Sequence, residues 1–541
     1  MHIRRIPGPS RRPRRTRSLP SARPHQVRRA GGTLLVAAAL FMSACSAGSS
    51  TSATVDVALP ALPRSTPSAL SPYYAQRLNW RSCGASGFEC ATMKVPLDYD
   101  KPLSGDVSLA VSRKRATGSQ GQSLGSLLVN PGGPGGSAIG YLQQYAAVSY
   151  PAEVRARYDM VAVDPRGVGR SDPVECLGGR AMDAFTQTDM TPDDQRETNQ
   201  LVDAYRQFAE GCGQRSGDLL RHVSTVEAAR DMDVLRAVLG DRRLNFVGAS
   251  YGTFLGATYA GLYPERVGRM VLDGAMDPSL SARQLNEDQT AGFDTAFRSF
   301  AKDCVKHADC PLGGPGTTPA KVGENLEAFF TKLDASPIPA GDADGRKLGE
   351  ALATSGVIAA MYDQATWPQL REALTSAMKS NDGAGLLVLS DTYYERDANG
   401  RYSNLMFANA AVNCLDLPSA FSSPEDVEKA LPEFQKASPV FGKGLAWSAL
   451  NCAYWPVRAT GQAHRIQAKG APPIVVVGTT RDPATPYRWA QSLAAQLASG
   501  RLLTFDGDGH TAYGRGSKCV EGAVDTYLLQ GMPPAKGKRC S

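Results

Sequence analysis

A chain of 541 residues exceeds one ordinary domain and points to a main domain carrying an insertion. Its formal charge of +7 has a local origin, because residues 1–44 hold ten Arg, no Lys and no acid, leaving 49 basic against 52 acidic residues. The rest of the chain is close to neutral, which argues against a nucleic-acid partner.

The Arg- and Pro-rich start runs into Gly31-Gly32-Thr33-Leu34-Leu35-Val36-Ala37-Ala38-Ala39-Leu40-Phe41-Met42-Ser43-Ala44. A basic region followed by an apolar stretch too short to persist as a spanning helix marks residues 1–44 as an export signal. Its end, Met42-Ser43-Ala44-Cys45, is similar to a bacterial lipobox, with small residues before the cysteine and Met42 where Leu is usual. Cys45 is the expected lipidation site and sole membrane attachment; simple secretion is the alternative. Arg28-Arg29 also raises a twin-arginine route, although Ala30-Gly31-Gly32-Thr33 fits it poorly. Residues 45–77, mostly Ser, Thr, Ala and Pro before Tyr73, hold too few apolar residues to fold alone and read as a tether.

From Leu78 strand-like runs alternate with helical segments, the pattern of an α/β domain with a mostly parallel sheet. SLLVNPGGPGG (126–136), YDMVAVDPRGVGRSD (158–172), LNFVGASYG (244–252), RMVLDGAMDP (269–278), PPIVVVGTTRDP (472–483) and RLLTFDGDGH (501–510) each end an apolar run in a polar, glycine-bearing turn. Such turns lie at the carboxyl ends of strands, where open α/β sheets bind ligands. This core covers 78–278 and resumes over 466–541. Between 279 and 465, ENLEAFFTKL, GEALATSGVIAAMYD and WPQLREALTSAM carry apolar residues at helical spacing and predict a helical insertion folded as a cap over the site.

Eleven cysteines are an odd number, and setting Cys45 aside leaves ten. They fall into neighbouring pairs, Cys83 with Cys90, Cys176 with Cys212, Cys304 with Cys310, Cys414 with Cys452 and Cys519 with Cys540. In an oxidising compartment these could close five short bridges, a connectivity that spacing alone leaves open. No C-x-x-C pair occurs, so no zinc site is expected; no other metal and no cofactor is expected either.

G-x-S-x-G occurs twice, as GASYG around Ser250 and as GQSLG around Ser123. A nucleophile elbow needs a buried strand before the serine, a strained turn and a helix after it. Leu244-Asn245-Phe246-Val247 precedes Ser250 and TFLGATYAGLY follows it; Ser123 instead sits in a loop leading into a strand. A serine hydroxyl also needs a base, a carboxylate to hold that base, and donors for the developing oxyanion. In hydrolases of this kind the chain order is Ser, acid, His. Of the histidines beyond the leader, His222 precedes Ser250, His307 falls in the insertion, and His464 precedes any late strand. His510 directly follows a strand in a glycine turn and is the expected base. Asp482 closes the preceding strand and is the expected acid, with an Asp-Pro turn as its bland alternative. The oxyanion donors are expected from the amides of Tyr251 and, within Asn130-Pro131-Gly132-Gly133-Pro134-Gly135-Gly136, of Gly133. A phosphate loop is the rival reading of that glycine run, but no G-K-[ST] follows and the prolines remove donors.

The motifs NPGGPGG, VAVDPRGVGRSDP, GASYGT, RDPATP and GDGH, in this order over residues 78–541, resemble those of the secreted bacterial tripeptidyl aminopeptidases, relatives of proline iminopeptidase in the α/β-hydrolase superfamily. The resemblance implies an exported serine exopeptidase that releases short peptides, commonly tripeptides, from free N-termini, with Ser250, Asp482 and His510 as its triad. Proline iminopeptidases have His-Gly-Gly-Pro-Gly where this chain has Pro131-Gly132-Gly133-Pro134-Gly135. An aminopeptidase must also pair the substrate ammonium with an anion, for which Asp416 and Glu395 are the candidates. A carboxylesterase and a hydrolase-fold protein without catalysis are the competing readings.

Overall fold

The computed structural model describes residues 58–63 and 65–541; the expected export signal, Arg28-Arg29, Cys45 and the tether up to residue 57 lie outside the described residues. The main sheet comprises β1 (Arg81–Ser82), β2 (Phe88–Pro96), β3 (Asp106–Lys114), β4 (Ser126–Asn130), β5 (Asp159–Val163), β6 (Leu244–Ala249), β7 (Val267–Asp273), β8 (Ile474–Arg481), β9 (Gly500–Asp508) and β10 (Lys538–Cys540). Their order is β1-β2-β3-β5-β4-β6-β7-β8-β9-β10. The first three strands pair antiparallel, β3 meets β5 antiparallel, and from β4 onward the strands run parallel. This is an α/β-hydrolase fold with a mostly parallel central sheet.

Successive side chains of a strand point to opposite faces, so a run that is apolar throughout requires cover on both sides. The strands obey this: Leu128, Phe246, Leu272 and Val476 join one buried cluster, whereas Leu127, Val247, Val271 and Val475 join the cluster on the other face. Because β4 to β9 are parallel, their carboxyl ends share one rim. The register aligns Asn130 with Gly248, Ala249 with Asp273, and Asp273 with Val477.

The insertion is helical and packs in more than one place. Helix α1 (Thr225–Val238) and α2 (Tyr251–Leu262) belong to the sheet domain; α3 (Ala282–Cys304) and α4 (Glu350–Met361) build a separate core with Phe297, Phe300, Leu352 and Val357. Helix α5 (Leu405–Asp416) instead contributes Phe407, Ala411 and Leu415 to the main core. Amphipathic spacing announces each helix but carries no information about which core receives its apolar face.

Residues 58–77 depart from the tether reading. Leu59 N donates to Arg465 O at 3.2 Å, Leu62 N to Leu262 O at 2.9 Å, and Tyr74 OH to Asp233 Oδ2 at 2.8 Å. Leu59, Leu62, Tyr73 and Tyr74 also lie against the main core. Few apolar residues suffice to order a segment when the surface receiving them is already built. The ten described cysteines close as Cys83–Cys90, Cys176–Cys212, Cys304–Cys310, Cys414–Cys452 and Cys519–Cys540.

One buried ion pair fastens the turn after β5. Arg166, whose side chain is 0% exposed, donates to both oxygens of Asp231 at 2.7 and 2.8 Å and to the carbonyls of Pro96, Leu97 and His222. Removing the cation strands a buried carboxylate, which costs about 3–5 kcal/mol. Arg166→Met is therefore expected to lower the unfolding free energy by about that amount in urea denaturation; a loss below about 1 kcal/mol would show that the pair is not what holds this turn.

Candidate active site

Strand β6 delivers Ser250 into a turn with φ 56° and ψ −126°, and α2 starts at the next residue. L-residues rarely adopt that backbone. Missing side chains around it make the turn possible: a Cβ on Gly248 would lie 2.3 Å from Gly252 O, and one on Gly132 would lie 2.5 Å from Ala249 O. Ser250 N donates to Asp273 O at 2.9 Å, while Ser250 O accepts Thr253 N at 2.8 Å and Thr253 Oγ1 at 2.5 Å. Ser123 lies before β4, at the opposite rim, and its Oγ accepts Gly125 N.

The glycine loop after β4 lies against this elbow. Gly132 N donates to Asn130 Oδ1 at 2.9 Å, and a Cβ on Gly132 would stand 2.8 Å from Tyr251 N. Gly133, next in the chain, is exposed, and its amide has no acceptor among the described residues. The Tyr251 amide opens α2 and has no intrahelical acceptor. On the far side of the loop, Asp164 accepts Ser137 Oγ at 2.9 Å and Ile139 N at 3.0 Å, and burial pushes its carboxyl up. The insertion touches the loop too. Asn409 Nδ2 of α5 donates to Pro134 O at 3.0 Å, and a Cβ on Gly135 would meet Leu405 O at 2.4 Å.

Asp482 follows β8 and is 2% exposed. Its oxygens accept His510 Nδ1 at 2.9 and 3.0 Å, the amides of Ala484 and Thr485 at 3.0 and 2.9 Å, and the Thr511 amide at 3.1 Å. A carboxylate so bound fixes the orientation of the imidazole. Thr485 Oγ1 stands 3.4 Å from the same ring nitrogen. The insertion holds His510 as well: His510 N donates to Tyr362 O at 2.8 Å, and the Tyr362 ring meets the imidazole edge-on at 5.5 Å. Arg515 bridges His510 O at 2.7 Å and Asp363 Oδ1 at 2.6 Å.

Ser250 and His510 each approach the end of β7. Asp273 O receives the Ser250 amide, and a Cβ on Gly274 would lie 3.3 Å from His510 Cε1. The other histidines stand elsewhere, His222 on Glu227, His307 facing Asp303 and His464 on Gln462 O. The sequence reading missed Tyr362, Asp363 and Arg515, which reach His510 only through tertiary contact. It also missed Asp273, although Leu272-Asp273-Gly274 carries the same strand-end signal that singled out Asp482.

The two acids assigned to the substrate ammonium do not join this group. Asp416, 9% exposed, accepts Thr225 N at 2.8 Å and Thr225 Oγ1 at 2.5 Å, and burial pushes its carboxyl up to about 7. Thr225 Oγ1 is in turn 2.5 Å from Tyr251 OH, so Asp416 braces the start of α1 and the residue after the elbow. Glu395 is exposed in a left-handed turn and accepts Ser403 Oγ. Asp189, Asp334 and Glu350 bring carboxylate oxygens within 4.8 Å of one another, apart from the Ser250 group.

Two family models match the chain, "alpha/beta hydrolase fold" over residues 125–347 and "TAP-like protein" over 438–540. The chain is 38% identical over 491 residues to "Serine protease Hip1" of Mycobacterium tuberculosis, covering 87% of this chain and 92% of that protein. It is 40% identical over 484 residues to "Carboxylesterase B" of the same organism, covering 87% and 91%. Against "Tripeptidyl aminopeptidase" of Streptomyces coelicolor the identity is 31% over 480 residues, covering 86% of each.

The bracing role of Asp416 has a pH signature. A carboxyl raised to about 7 in the fold binds its proton more tightly than in the unfolded chain, so its stabilisation is present at low pH and lost as pH rises through about 7. Asp416→Asn is expected to match the wild type below about pH 4 and to lose less stability between about pH 4 and 7, followed by thermal denaturation. Peptide and ester turnover should change together; a rise in KM confined to substrates with a free amine would return Asp416 to the substrate.

Proposed function

Because this chain belongs to the TAP-like serine hydrolases of the α/β-hydrolase superfamily, we propose that Ser250, Asp482 and His510 are its catalytic triad and that it removes short peptides from free N-termini. The observation that carries the reading is the buried Asp482 carboxylate on His510 Nδ1, at the rim where the strained Ser250 emerges. In this mechanism His510 Nε2 takes the Ser250 proton as Oγ attacks the scissile carbonyl, and Asp482 stabilises the resulting imidazolium. The amides of Tyr251 and Gly133 receive the oxyanion. His510 then protonates the leaving amine, and water, deprotonated by the same ring, releases the acyl group and restores Ser250 Oγ–H.

The 31% identity to a tripeptidyl aminopeptidase supports the exopeptidase reading. Both acids proposed for the substrate ammonium already have partners, Asp416 on Thr225 and Glu395 on Ser403, so neither is carried forward as its anion. Hydrolysis of neutral esters is the second reading, favoured by the 40% identity to a carboxylesterase. Five disulfides suit an oxidising compartment, which supports export; among the described residues no helix is long and apolar enough to cross a membrane. Attachment through a lipid on Cys45 is proposed on the Met42-Ser43-Ala44-Cys45 stretch.

A fluorophosphonate should label the wild type and spare Ser250→Ala. Asp482→Asn should reduce kcat by about 10⁴ with little change in KM. Mass spectrometry of products from a free peptide and its N-acetylated twin should show tripeptide release from the first alone; equal cleavage of both would remove the exopeptidase assignment. For the anchor, Cys45→Ala should move the protein from the membrane fraction to the medium, and an unchanged distribution would exclude it.

A further inference from the structure

A further acid stands at the rim, and the triad chemistry does not call on it. Asp273 ends β7, is 2% exposed, and forms no ion pair with a Lys or Arg among the described residues. Its carboxylate accepts the Ala512 amide at 3.1 and 3.0 Å and the Tyr513 amide at 2.8 Å, which are the second and third residues after His510. Its own carbonyl accepts the Ser250 amide at 2.9 Å, and the next amide, Gly274 N, donates to Val477 O on β8, the strand that leads to Asp482.

We propose that Asp273 is a positioning residue that fixes the nucleophile, the base and the acid-bearing strand to one another, and that its charge supports the imidazolium formed at His510. The inference rests on the triad reading above and deepens it. One short stretch of backbone holds all three loops, so a displacement of Asp273 would move the base relative to the hydroxyl it must deprotonate. Sub-ångström placement of this kind governs rate.

The charge needs its own account. A neutral amide would offer an acceptor to the same N–H groups without the cost of burying an anion that has no cation beside it. Burial pushes this carboxyl up to about 6, and the nearby His510 pulls it down again while Asp482 raises it. An ionised Asp273 attracts the positive charge that the ring acquires as it takes the serine proton. The other titratable groups that face it are the phenols of Tyr141, Tyr145 and Tyr150, all held above their usual range mainly by burial and neutral at working pH.

The test is Asp273→Asn in the full chain, assayed on a neutral ester with a fluorophosphonate labelling rate measured in parallel. Because Asn keeps an acceptor for the two amides, the variant reads the lost charge: expected are a fall of about 100-fold in kcat and in labelling, a KM within about twofold of wild type, and an acid limb of kcat/KM displaced to lower pH. The melting temperature at pH 7 should not fall, because the ionised carboxylate is itself disfavoured in the fold. A merely structural residue would give the reverse, a lower melting temperature with wild-type kcat and an unmoved acid limb, and that result overturns the proposal. Should the variant not fold, Asp273→Glu decides: it keeps the charge but displaces the carboxylate, so kcat and labelling should fall by more than about 10-fold at an unchanged KM, and wild-type kcat overturns the proposal. A wild type that neither labels nor turns over would sink the triad reading instead, and the wild-type control shows this separately.

Discussion

The backbone of Ser250 is held where an L-residue resists going, and the site is organised around that constraint. Residues in such conformations cost about 1–3 kcal/mol and persist only where the surroundings over-determine them. Here the surroundings are Gly248, Gly252 and Gly132, each too close to neighbouring backbone to carry a Cβ, and the bond from Ser250 N to Asp273 O. Together they turn the chain from the end of β6 into α2 within one residue. The hydroxyl is left at the rim and the first amide of the helix beside it.

The parallel sheet supplies the rest of the convergence. Strands that run the same way end at the same edge, so Asn130, Ala249, Asp273 and Asp482 come together although they span more than 300 positions of chain. The insertion adds a second set of restraints rather than a passive roof. Tyr362 O holds the His510 amide, Asp363 and Arg515 hold its carbonyl side, and Asn409 holds the loop that carries Gly133. His510 and the glycine loop are therefore gripped from both sides, and movement of the insertion would be felt at both.

What the sequence made legible were features written in neighbouring residues. An apolar run followed by Gly-Ala-Ser-Tyr-Gly, a strand ending at Asp482 and a glycine turn at His510 each combine local signals, and chain order joins them. Through-space relations were not legible. Asp416 looked like an available acid because its partner, Thr225, lies 191 positions away. Residues 58–77 looked unfoldable because composition describes a segment alone, whereas Leu59, Leu62 and Tyr74 are ordered by a surface made elsewhere. Asp273 shares the strand-end pattern of Asp482, but its role is not written locally; the amides it accepts, Ala512 and Tyr513, are 239 and 240 positions further on.

The central claim is that these groups converge on one acyl-transfer site, and a crystal structure of the enzyme after reaction with a phosphonate inhibitor tests it most directly. The account predicts phosphorus bonded to Ser250 Oγ, the phosphonyl oxygen within hydrogen-bond distance of the Tyr251 and Gly133 amides, and His510 Nε2 facing the ester oxygen with Nδ1 still on Asp482. An adduct on another residue, or an imidazole turned away with a different group in its place, would contradict it.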